Sequence, residues 1–218
     1  MRARPVFVTG GTGYLGRLLI DALLARDYPV HALVRPGSEA RLPSRAVAVT
    51  GDALDPASFV AAVPKQATVV HLVGTPQPNP SKAAEFQRVD LGSIRATAAA
   101  ARRAGASHIV YVSVAHPAPV MQAYVAARVE GEALVAATGI PATILRPWYV
   151  LGPGHRWPML LLPLYALLRL LPATRESAER LGLVTQEQMN AALLDAVANP
   201  PDAGMRIVEV PGIRRARP

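Results

Sequence analysis

Four residues, Val6-Phe7-Val8-Thr9, run without a break into Gly10-Gly11-Thr12-Gly13-Tyr14-Leu15-Gly16, and a Leu/Ala-rich stretch follows at once. No other feature restricts the fold as strongly. Strand, glycine-rich turn and helix in immediate succession open a βαβ unit. Gly11, Gly13 and Gly16 satisfy G-x-G-x-x-G, and Gly10, Gly13 and Gly16 satisfy G-x-x-G-x-x-G. Glycine answers three needs there. The turn is tight, the backbone must approach a diphosphate without a Cβ in the way, and the helix must lie close on the strand. The helix N-terminus then offers unpaired N–H groups and a partial positive charge to the anion. Gly10, Gly11, Thr12, Gly13, Tyr14, Leu15 and Gly16 are therefore the expected grip on a dinucleotide, with a purely structural turn as the alternative.

Short β-branched runs continue at Val30–Val34, 46–50, 68–73, His108–Val112 and 142–145, with a last strand expected at 206–210. Helical patterns fall between them at 14–26, 56–63, 82–104 and 120–137. The strands are apolar without clean alternation, as expected when helices cover both faces. This rhythm predicts an α/β fold: one doubly wound parallel sheet over residues 1–218, of the Rossmann type. Residues 147–182 interrupt the rhythm and are expected to form a small insertion on the substrate side. Hydrophobic residues make up 51% and charged residues 17% of the 218, which excludes a disordered chain.

The second strand runs into Arg35, where an NAD-preferring site would place Asp or Glu. An arginine there can pair with a 2′-phosphate. NADP is thus the expected cofactor, with NAD the alternative if Arg35 is merely solvated, and Arg41 is a possible helper. After the third strand, Gly51-Asp52-Ala53-Leu54-Asp55 places Asp52 and Ala53 beside the adenine, while Asp55 is expected to cap the next helix. Val73, Gly74 and Thr75 follow the fourth strand, and a glycine there lets the chain pass close to the nicotinamide side.

Ser113 ends the fifth strand, and Tyr124 and Arg128 lie four apart on a predicted helix, hence on one face. Carbonyl reduction by hydride needs a proton donor at the forming alkoxide. A tyrosine can supply it when a nearby cation favours its ionisation, and a serine hydroxyl can orient the substrate oxygen. Alone, this spacing also fits a packed tyrosine and a solvated arginine.

The blocks TGGTGYLG at 9–16, LVR at 33–35, GDALD at 51–55, HLVG at 71–74, HIVYVS at 108–113, YVAAR at 124–128 and ILRPWYVLGPG at 144–154 follow one another in order. Together they resemble the short-chain dehydrogenase/reductase superfamily, in its atypical or extended, epimerase-like NAD(P)H-binding group. The resemblance implies Ser113 and Tyr124 as catalytic residues, with Arg128 at the position of the family lysine. Asp90 falls where relatives often carry asparagine, and Val114 where a second serine is frequent. Relatives often dimerise through their central helices, which makes 82–104 a possible interface and the chain a monomer or homodimer. The implied function is an NADP-dependent reductase or dehydrogenase of an apolar carbonyl or quinone-like small molecule. The alternatives are an epimerase or isomerase of the same superfamily, or a non-catalytic NADP(H)-binding redox-sensing or assembly protein.

Other classes are less well served. The chain has no cysteine, which excludes disulfides, thiolate metal sites and a cysteine nucleophile. No His or carboxylate spacing suggests a metal, so none is expected. The net charge is +8, mostly from scattered arginines, with no basic stripe interleaved with aromatics, so nucleic acid is not expected as a partner. The apolar segment 158–171 reads as a buried or capping helix, or as a lid touching a lipid-like substrate or a membrane surface. Trp148, Tyr149 and Trp157 are possible pocket walls, His155 and His116 reserve proton donors, and Arg214, Arg215 and Arg217 a solvated tail. No signal peptide is visible, and a cytoplasmic location is expected.

Overall fold

The computed structural model of the chain describes residues 4–152 and 179–217. Seven parallel strands form one sheet in the order β3-β2-β1-β4-β5-β6-β9. They are β1 (Val6–Thr9), β2 (Val30–Val34), β3 (Val47–Thr50), β4 (Thr68–His71), β5 (His108–Val112), β6 (Ala142–Arg146) and β9 (Met205–Glu209). The order reverses between β1 and β4, so the expected doubly wound, Rossmann-type sheet is present. A crevice opens beyond the carboxyl ends at such a switch point. Tyr149–Leu151 (β7) and Leu183–Thr185 (β8) form a separate parallel pair.

The pleat explains the two cores. Val6 and Val8 face one layer and Phe7 the other, and all three are fully buried. The first layer holds α1 (Tyr14–Leu24), α5 (Gln186–Ala198) and α6 (Val210–Arg215): Leu19, Ile20 and Leu23 pack with Met189, Leu193 and Ile213. The second holds α3 (Gly92–Ala104) and α4 (Gln122–Ala136), and Phe7 stacks on Phe59 with ring centroids 5.9 Å apart.

Several elements differ from the sequence-based expectation. Residues 56–63 form two short 3-10 turns, Pro56–Ser58 and Val60–Ala62, because Pro56 and Pro64 leave too little chain for a full helix. The expected helix over 82–104 is composite. A single turn, α2 (Ala83–Glu85), leads into the π-helical Phe86–Leu91 and then α3. Helix α5 was not anticipated, although Thr185 and Gln188 form a complete capping box at its start. Of the tail expected to be solvated, Arg215 and Arg217 are exposed, whereas Arg214 is half-buried and its guanidinium donates to the Leu183 carbonyl through Nε at 2.8 Å. Among the described residues, no helix is long and apolar enough to cross a membrane. His155, Trp157 and the segment 158–171 lie outside the described residues.

Candidate functional site

The site is built where β1, β4 and β5 end. Thr9 closes β1, and Gly10 turns the chain with φ +75°, a left-handed conformation that favours glycine. A Cβ on Gly10 would lie 2.9 Å from the Leu72 carbonyl carbon and oxygen. A Cβ on Gly16 would lie 2.3 Å from the Gly10 oxygen and 2.7 Å from Gly11 Cα, so α1 can sit this close to the turn only with glycine there. Gly13 N–H donates to the Gly10 carbonyl at 3.0 Å and closes the turn. Gly13 is the N-cap of α1 and supplies no side-chain acceptor, which leaves first-turn N–H groups for an anion. The side chains of Tyr14 and Leu15 serve packing: Leu15 lies against the α1 core, and the Tyr14 ring lies directly against Gly152, which has no room for a side chain.

A buried network supports the turn from below. His71, the last residue of β4, is fully buried, and its Nδ1 lies 2.9 Å from Thr9 Oγ1 and 3.0 Å from Thr97 Oγ1. Its Nε2 lies 3.3 Å from Ser93 Oγ. Burial, helped by the nearby Arg128 charge, pushes the His71 imidazole down to about 3, so it is neutral at physiological pH. Burial likewise pushes His108, bonded to Thr143 Oγ1, down to about 4, with Arg206 and Arg4 adding to the effect.

On the adenine side, Arg35 is exposed just past β2. The Glu39 carboxylate folds back over the same loop, accepting from Gly37 N–H at 3.2 Å and Thr50 Oγ1 at 3.1 Å. Asp52 Oδ1 accepts from Leu54 N–H, which shapes the loop carrying Ala53, and Asp55 caps Ala57 as expected.

Two of the carbonyl-side candidates, Tyr124 and Arg128, meet. The Arg128 guanidinium is buried against the ring faces of Tyr124 (5.2 Å from Cζ to centroid) and Tyr111 (5.9 Å). Nη1 donates to the Val112 carbonyl at 2.8 Å, one residue before Ser113, and Nη2 donates to Asp90 Oδ1 at 2.6 Å. Desolvation opposes this charge, but Tyr124, Tyr111 and Asp90 outweigh it and raise Arg128 above its ordinary value, so it stays cationic. Tyr124 also meets Phe86 edge-on at 5.1 Å. Ser113 Oγ is buried with no hydrogen-bond partner. Asp90 Oδ2 accepts from both Thr75 N–H (3.1 Å) and Thr75 Oγ1 (2.6 Å).

This arrangement gives Gly74 a second meaning. A Cβ there would lie 2.3 Å from Arg128 Nη2, so the glycine makes room for the arginine as well as for any ligand. The direct Asp90–Arg128 ion pair was not visible in the sequence. Its signal was the joint departure from the asparagine and lysine of relatives at positions 38 residues apart. Other candidates serve structure. His116 Nε2 lies 3.6 Å from Glu132, and Glu132 takes a two-point bond from Arg146, which also holds Glu209. Trp148 packs against the small cluster of Val114, Ala118 and Val125. Among the described residues, no group of three His, Asp or Glu side chains could hold a metal ion.

A family profile described as NAD(P)H-binding matches residues 10–154. Ceramide reductase of Caulobacter vibrioides is 32% identical over 219 residues, covering 96% of this chain and 65% of the relative. The 3-diazoavenalumate denitrifying reductase of a Streptomyces species is 32% identical over 175 residues, covering 68% of this chain and 57% of the relative. The chain thus spans less than two thirds of the length of these curated relatives. Among solved structures, the Bordetella bronchiseptica enzyme WbmG in complex with NAD superposes with a TM-score of 0.68 at 20% identity, covering 95% of this chain and 73% of that one. A UDP-galactose 4-epimerase gives 0.69 at 20% identity, with 94% and 76% covered. At such identities these structures speak for the fold alone.

Proposed function

Since the chain belongs to the NAD(P)H-binding family, within the atypical, epimerase-like short-chain dehydrogenases/reductases, we propose that it is an NADP-dependent reductase of an apolar carbonyl or quinone-like small molecule, acting in the cytoplasm as a monomer or homodimer. The carrying observation is the Arg128 cation packed on the Tyr124 ring and bonded to the Val112 carbonyl, one residue before Ser113, whose buried hydroxyl has no hydrogen-bond partner. Names of two relatives as reductases support the same reaction class.

The side-chain-free turn at Gly10–Gly16 and the open N-terminus of α1 fit a diphosphate. Arg35 would hold the 2′-phosphate, and Asp52, Ala53, Val73, Gly74 and Thr75 would line the path from adenine to nicotinamide. A nicotinamide cofactor held by these residues would supply hydride for reduction of a carbonyl carbon. Tyr124 gives its hydroxyl proton to the forming alkoxide oxygen, and Ser113 Oγ–H donates a hydrogen bond to that oxygen. Arg128 stabilises the negative charge left on the phenol.

Oxidation of NADPH would be followed at 340 nm with apolar ketones, quinones and, prompted by the Caulobacter relative's name, a ceramide-class lipid. Tyr124→Phe is expected to lower kcat about 100-fold or more with little change in NADPH affinity. Unchanged turnover would remove Tyr124 from this role. Arg35→Ala is expected to weaken NADPH about tenfold or more and leave NADH unaffected. Equal affinities in the unmodified protein would defeat the 2′-phosphate assignment, and the Glu39 carboxylate on the same loop makes the NADH arm necessary.

One observation favours the second reading, cofactor binding without turnover. The Arg128 guanidinium is already engaged by Asp90 and the Val112 carbonyl and is not presented to a ribose as a free cation. Tight NADPH binding with no oxidation by any member of the panel would decide for it.

A further inference from the structure

A buried ion pair is weak evidence for stability, because well-packed apolar residues of similar volume often serve as well or better. Asp90 and Arg128 are nevertheless both buried, and their side-chain hydrogen bonds run to the chain segments that follow β4 and end β5. Asp90 comes from the π-helical stretch Phe86–Leu91, a geometry that in other proteins frequently marks functional positions. Its two carboxylate oxygens bond in different directions. Oδ1 takes Arg128 Nη2, and Oδ2 takes both donors of Thr75, in the loop after β4. Through Arg128 Nη1 the tie continues to the Val112 carbonyl at the end of β5. The missing side chain of Gly74 is what lets the guanidinium approach that loop. A lysine at 128 would be a point charge on a flexible stem; the planar fork of arginine bonds Asp90 and the β5 carbonyl through separate nitrogens.

We propose that Asp90 is a positioning residue that, through Thr75 and Arg128, fixes the ends of β4 and β5 relative to each other and so shapes the wall on which the nicotinamide half of the cofactor lies. This rests on the reading above that the cofactor runs along the carboxyl edge of the sheet. It assigns Asp90 no contact with substrate or cofactor. The adenine half would be gripped by the Gly10–Gly16 turn and the loops after β2 and β3, whereas the Asp90 carboxylate bonds Thr75 and Arg128.

The test separates the two halves. Calorimetry on the full chain would compare ADP, common to both dinucleotides, with whichever of NADPH or NADH the unmodified protein binds more tightly. The variants are Asp90→Asn and Thr75→Val, each checked for folding by circular dichroism. Thr75→Val removes the hydroxyl bond, and because Thr75 would itself line the cofactor path, the double variant must weaken the dinucleotide no further than the Asp90 variant alone; Asp90→Ser takes the place of Asp90→Asn if that variant does not fold. The reduced dinucleotide is expected to weaken about tenfold, as loss of a hydrogen bond to a charged group predicts, while ADP stays within about twofold. Parallel weakening of both ligands, or no change in either, would overturn the assignment. If the unmodified protein bound neither ligand, the cofactor reading itself would fall first, a result distinct from unmodified protein binding both and the variants losing nothing.

Discussion

Acidification should unfold this protein through its buried histidines. His71 and His108 are both 0% exposed, and burial holds them at about 3 and about 4 against an ordinary value of 6.5. The folded state therefore excludes a proton that the unfolded chain binds. With folded values depressed, the stabilisation is fully present above the unfolded value and is lost as pH falls. Each site contributes a slope of about 1.4 kcal/mol per pH unit once the unfolded imidazole is protonated. From pH 7.5 to 5 this integrates to about 2 kcal/mol per histidine, or about 4 kcal/mol for both. That is a large share of the 5–15 kcal/mol typical of a domain. His31, also lowered by partial burial, acts in the same sense. Urea denaturation at half-unit pH steps would measure it. In His71→Gln, whose amide can still bond Thr9, the decline should shrink by about half even though stability at pH 7.5 also falls. A free energy of unfolding constant to within about 1 kcal/mol across the range would refute the assignment of both imidazoles as buried and neutral.

Gly16→Ala would place a methyl group 2.3 Å from the Gly10 oxygen, so α1 must shift off the turn. We expect a loss of about 1–3 kcal/mol in stability, read by thermal melting, and dinucleotide binding reduced more than tenfold by calorimetry. Arg146→Met leaves the largely buried Glu132 without its two-point partner and Glu209 without its bond. A stability loss of about 3–5 kcal/mol should follow, measured by urea titration at neutral pH.

The parts of this fold that were legible in the sequence are those whose cause is local. The glycine turn after β1 can be read because a tight turn, a close helix and an open helix N-terminus each demand a missing Cβ within seven residues. The parallel, doubly wound sheet follows from the alternation of short β-branched runs with helical ones. The segment at 56–63 was misjudged because its Ala and Val content looks helical while its flanking prolines limit its length. The π turn over Phe86–Leu91 leaves no compositional trace, yet the buried Asp90 lies within it. The Asp90–Arg128 pair joins residues 38 apart and depends on how α4 docks, which no local pattern encodes. Helix α5 could have been found: Thr185-x-x-Gln188 before an Ala/Leu run is a helix-start signal.

Segments far apart in the sequence meet in one layer. Helix α1, which orients the glycine turn, buries Leu19, Ile20 and Leu23 against Met189 and Leu193 of α5 and Ile213 of α6. During synthesis, α1 therefore waits for residues about 170 to 190 positions later before its apolar side is covered. A ribosome-bound chain stopped near residue 154 would carry every dinucleotide motif and still leave that helix without its cover, so coenzyme capture becomes a late event in the life of the nascent protein.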